Sequence, residues 1–169
     1  MKATVQRTIR LLAAAGTIGL MAAVCVPVAA GATGNRLLAK GSATEIVGGA
    51  ANWHIQFKIH ARSNGQSSSV TVQQPNATFS YNGSVCSGAY TTAAGTTVYV
   101  VGKQTSFSGS NFNTPYYGFS IRKGGPLGAN FSWVSSFGSL AAAQAACSNP
   151  AVSLPTPFAL SAANVMFKV

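Results

Sequence analysis

Glu45 is the only side-chain carboxylate in the chain, and His54 and His60 are its only imidazoles. With the cysteines, they are nearly all the groups available for acid–base, nucleophilic or metal chemistry, and they support little of it. Glycoside hydrolysis ordinarily needs two carboxyl groups flanking the scissile bond, and calcium sites draw on several. A Ser-His-acid triad needs an acid to orient its histidine. Glu45 is the one candidate for that role, and no Gly-x-Ser-x-Gly elbow accompanies it. The two histidines lie on the same side of one extended segment, six residues apart. At ~3.3 Å per residue that is roughly 20 Å, too far for one metal ion on a straight strand. A reactive thiol would need an activating base, which the chain scarcely offers. Composition therefore argues for a protein that is not an enzyme and needs neither metal nor cofactor, with Glu45 solvated or paired to an arginine.

Two sets of residues point instead to binding. Eleven Lys and Arg face the single acid, for a formal net charge of +10. His54, Lys58, His60 and Arg62 share the polar side of one segment and make a basic stripe suited to an anionic cell-surface polymer. No aromatics interleave with it, so a specific nucleic-acid partner is not expected. The second set is Phe107, Phe112 and Tyr116, beside Tyr117. They surround a Ser/Asn/Gly-rich stretch, 105–115, that reads as the longest loop. Rings among Asn and Ser neighbours stack on sugars or grip a protein partner; otherwise they fold back over the core. The function expected is a binding or cell-surface interaction domain for an anionic polymer, with a carbohydrate-binding module as the alternative.

The N-terminal region places these residues in a compartment. Lys2, Arg7 and Arg10 form a positive segment, Leu11 to Val26 an apolar one, and Ala30-Gly31-Ala32 a small-residue cleavage site. This is the pattern of a secretory signal over residues 1–32. The apolar run is 16 residues, short of the ~20 that span a bilayer, so no membrane span is expected after cleavage. The exported chain then reads as a flexible leader, 33–43, and one domain, 44–169, secreted or held at the cell surface. It retains Cys86 and Cys147, and an even pair in an exported chain favours a disulfide. Closing a loop of this length stabilises by on the order of 4 kcal/mol.

The elements that must carry these groups are strands. Trp53, Ile55, Phe57, Ile59 and Ala61 alternate strictly with His54, Gln56, Lys58, His60 and Arg62, giving one apolar and one polar face. Ile46-Val47 forms a short strand before Gly48-Gly49, and Val70 and Val72 mark another. Asn82-Gly83 is the preferred two-residue hairpin loop. It would pair Tyr81 with Ser84 and Phe79 with Cys86, turning the cysteine toward the apolar side. Strands follow at Thr96–Lys103, Tyr116–Lys123, Phe131–Ser135 and Phe158–Val169. The one helix-like stretch is 140–146, after which Pro150, Pro155 and Pro157 keep the chain extended. Seven to nine short strands with regular turns predict an all-β, antiparallel β-sandwich or small barrel.

Three stretches carry a resemblance. They are Gly48-Gly49 with the alternating strand after it, Val98–Lys103 followed by Phe119-Ser120-Ile121-Arg122, and the closing Leu160–Val169 strand. In these the chain resembles small exported bacterial β-domain proteins of the actinobacterial type. It departs from them at Gly102-Lys103-Gln104, where they carry an acidic Asn-Gly turn. The resemblance implies an exported β-sandwich and brings no activity or site residue with it.

Overall fold

Antiparallel pairing governs the structure from end to end. The computed structural model describes residues 36–47, 51–61, 67–109, 113–124, 129–154 and 158–169. The expected signal at 1–32 lies outside them. Nine strands run through these segments: β1 (Arg36–Val47), β2 (Ala51–Ala61), β3 (Ser69–Gln74), β4 (Ala77–Asn82), β5 (Cys86–Thr92), β6 (Gly95–Gly109), β7 (Tyr116–Lys123), β8 (Ala129–Phe137) and β9 (Phe158–Phe167). Two short helices, α1 (Leu140–Ser148) and α2 (Pro150–Ser153), separate β8 from β9. The sheet order is β4-β3-β2-β1-β9-β8-β7-β6-β5, and β4 also pairs with β6. That last pairing joins the two ends of the curled sheet and closes a ring of eight strands, with β5 beside it on the first half of β6. The all-β class expected from the alternation holds, and the closed pairing is that of a small barrel.

The inner face is the main core. Ile55, Phe57 and Ile59 of β2 meet Val70 and Val72 of β3, Phe79 and Tyr81 of β4, Val98 and Val100 of β6, and Phe119 and Ile121 of β7. Phe57 and Phe119 touch across the interior with ring centroids 5.0 Å apart. Phe79, Tyr81 and Tyr117 form a stack, with Phe79 and Tyr117 at 4.4 Å and Tyr81 and Tyr117 at 5.6 Å. A smaller apolar cluster lies where Val101 meets Ala143 of α1 and Leu154. Ser139 caps α1 by accepting the Ala142 N–H, and the disulfide Cys86–Cys147 ties the helix to β5.

Four expectations are corrected. Residues 36–43 are not a leader but most of β1, paired on both edges with β2 and β9. Residues 105–109 are not loop; they extend β6 and pair with β4. Pro150 does not keep the chain extended but begins α2, where its fixed φ suits the first helical position. The Asn82-Gly83 hairpin does not form. Tyr81 pairs with Gln104 and Cys86 with Val101, so β4 and β5 succeed each other along one edge of β6. Asn82 Oδ1 accepts the Ser84 N–H, Gly83 N–H donates to Ser68 O, and Val85 N–H donates to Val101 O. The chain thus jogs instead of reversing. The jog crosses Gly102 so closely that a Cβ there would stand 1.1 Å from the Asn82 carbonyl oxygen. Cys86 consequently joins the helix-side cluster and not the barrel interior.

Candidate functional site

The alternation of β2 presents His54, Gln56 and Lys58 to solvent, as the sequence pattern requires. Register extends that face across four strands. Lys40 of β1 lies directly opposite Lys58, and Met166 of β9 and Ser69 of β3 complete the row. Asn164, Ser42, Gln56 and Thr71 form the next row, and Ala162, Thr44, His54 and Gln73 the one beyond. Thr44 Oγ1 lies 3.2 Å from His54 Nδ1. A shallow groove of about 510 Å³ crosses this face between Lys40, Ser42, Gln56, Lys58, Ser69 and Thr71.

Opposed side chains in an antiparallel pair have Cβ atoms about 5 Å apart, and like charges so placed destabilise the sheet. Lys40 and Lys58 therefore form a cationic pair with hydroxyl and amide groups around it. Neither has a side-chain carboxylate to neutralise it, because the one carboxylate is inside the barrel. Glu45 is 0% exposed, and Ser132 Oγ–H donates to its Oε1. The solvated or arginine-paired Glu45 expected from the sequence is thereby overturned. It follows Ala39, Gly41 and Ala43 on the inward side of β1, opposite Trp53. Burial pushes its carboxyl up to about 7, against the opposing effect of the Ser132 bond. Its Oε2 and the Tyr81 hydroxyl are buried without a hydrogen-bond partner, and burial followed by the Glu45 charge raises the Tyr81 phenol well above its ordinary value.

The basic stripe read from the sequence is thus partly rebuilt. His54 and Lys58 stand on the exposed face, and Arg62 lies outside the described residues. His60 leaves it, being only 7% exposed. Its backbone N–H donates to Ser68 Oγ at 2.9 Å, and its Nδ1 lies 3.1 Å from the Ser67 carbonyl. A carbonyl only accepts, so Nδ1 carries the proton in this contact. Lys40 was missed because pairing it with Lys58 requires a strand where the sequence reads a leader. Among the described residues no three His, Cys, Asp or Glu gather as a metal site would require.

The aromatic set does not form one exposed platform. Phe107 lies opposite Phe79 in the β4–β6 pairing and packs half-buried on the main core. Tyr116 opens β7 and packs half-buried in the helix-side cluster. Phe112 lies outside the described residues. The two rings are drawn to different cores because 105–109 is strand, and strand pairing fixes where each side chain points.

No family model, curated protein or solved structure matches the chain.

Proposed function

We propose that this is an exported, non-enzymatic binding domain whose ligand is an anionic cell-surface polymer held on the outer face of β9, β1, β2 and β3. The observation that carries this reading is the direct opposition of Lys40 and Lys58 in a groove of Ser, Thr and Gln side chains, with the chain's only side-chain carboxylate buried elsewhere. A phosphate placed between the two ammonium groups relieves their repulsion, and the hydroxyl and amide groups around it donate hydrogen bonds. Successive phosphates along a polymer then meet the wider positive field of residues 33–169, whose eight Lys and Arg against one Glu leave a net charge of +7, which also speeds encounter. The signal-like residues 1–32, the disulfide and the resemblance to exported bacterial β-domain proteins support the same compartment.

The test is retention on cell-wall material and on inorganic polyphosphate at low and high salt. Displacement of bound counterions makes such binding fall steeply as salt rises. The Lys40→Ala/Lys58→Ala variant is expected to bind more weakly at every salt concentration and to lose roughly one unit of the log–log salt slope per lysine. Retention that ignores salt, or an unchanged slope in the variant, overturns the reading.

A further inference from the structure

We propose that the open end of the barrel is a second, independent binding site, a cup for a neutral, planar, largely apolar small molecule carrying one hydrogen-bonding group. The cup has a volume of about 400 Å³, toward the lower end of the about 300–1,000 Å³ typical of small-molecule sites. Phe79 and Tyr117 close its bottom and are each 1% exposed. Trp53 and Phe137, both half-buried, line its sides together with Gln74, and the exposed Ser136 stands at its rim.

Three observations fix the occupant. The lining residues come from β2, β3, β4, β7 and β8, strands on opposite sides of the closed ring. The cup therefore sits at the end of the barrel interior, where Phe137, which also packs on the helix-side cluster, reaches its edge. A small molecule fits such a space, as in other eight-stranded barrels, whereas a strand or helix of a partner protein does not. No lining residue is charged, so burying a charged ligand there would leave it uncompensated. The bottom is already ordered, since Tyr117 stacks on both Phe79 and Tyr81 and its hydroxyl accepts the Thr114 N–H at 3.3 Å. Flat rings held in this way receive a flat ligand with little ordering cost, and the Gln74 amide supplies the polar contact at the side.

The experiment is titration of the protein with N-phenyl-1-naphthylamine, a neutral amine with a flat naphthalene ring whose emission rises in apolar surroundings. Binding is expected to saturate at one molecule per chain. Ser136→Trp, which fills the rim from an exposed position, and Trp53→Ala, which removes a wall, should each weaken it by about tenfold or more. Lys40→Ala/Lys58→Ala should leave it unchanged, which separates this site from the polyanion face. Failure to saturate, several molecules bound per chain, or full affinity in the folded Ser136→Trp variant overturns the proposal.

Discussion

Glu45 is a carboxylic acid in an apolar barrel, with one oxygen bonded to Ser132 and the other unpaired. Burial raises its folded pKa from 4.5 to about 7, while the unfolded chain keeps the lower value. Between those two values the folded state holds a proton that the unfolded state has released. This group's contribution to stability is therefore fully present below the unfolded pKa. It falls as pH rises through the window and levels off above the folded pKa. The whole change is about 3 kcal/mol. Glu45→Gln keeps an acceptor for Ser132 and cannot ionise. Urea unfolding across the window should show the wild type losing stability with rising pH relative to the variant, and parallel curves would disprove the assignment. Nothing local in the sequence announced this burial. Before Glu45 the main core takes Leu38 and Ala39 together, at an irregularity in the β1–β2 register that breaks the alternation, and the inward positions after them are only Gly41 and Ala43. Ala39, Gly41 and Ala43 are small because Ile59, Phe57 and Ile55 stand opposite and fill the space. A strand whose bulk is supplied by its neighbour has no hydrophobic period of its own.

Among the elements, β2 was the most legible, because its period-two alternation coincides with burial on the one side and, from His54 to Lys58, with exposure on the other. The β4–β5 junction misled for the converse reason. Asn-Gly favours a tight reversal locally, but the long β6 offers one continuous edge that β4 and β5 occupy in turn. That arrangement depends on Gly102. With the Asn82 carbonyl oxygen 1.1 Å from where a Cβ would stand, Gly102→Ala must push the jog off β6. We expect it to lose at least about 3 kcal/mol in urea unfolding; an unchanged midpoint would show that β4 and β5 do not cross there. The helix-side cluster depends on the cross-link in a different way. Its buried apolar part is small, namely Val101, Ala143 and Leu154, while Cys86 and Cys147 close a separation of 61 residues. Cys86→Ala/Cys147→Ala is expected to lose on the order of 4 kcal/mol. Amide exchange should accelerate in residues 140–148 before it does in β2 or β7, whose side chains belong to the main core. Simultaneous loss of protection everywhere would mean that the helix and the barrel unfold as one unit.

At the scale of the whole molecule, the curl of the sheet creates both proposed sites, and neither could be assembled from local pattern. The cup takes residues from Trp53 to Phe137 and exists because β4 meets β6, a pairing that no turn signal encodes. The cationic face exists because the register of β1 sets Lys40 against Lys58. What composition does declare is the charge and how little it can change. Without Asp, and with Glu45 buried, the Lys and Arg charge has no surface side-chain carboxylate to offset it. Lysine and arginine stay protonated well above neutrality. Burial moves the titration of Glu45 into the neutral range, so it is already ionised in mildly alkaline solution. A field carried by lysine and arginine alone, with no surface side-chain carboxylate to change it, is almost constant above the range in which Glu45 ionises. Polyphosphate affinity at fixed ionic strength should therefore be flat from about pH 8 to pH 9, while remaining steeply dependent on salt throughout that range. A marked loss of affinity over that interval would mean that a titrating group, and not the fixed lysine charge, holds the polymer, and it would remove the Lys40–Lys58 pair from the site.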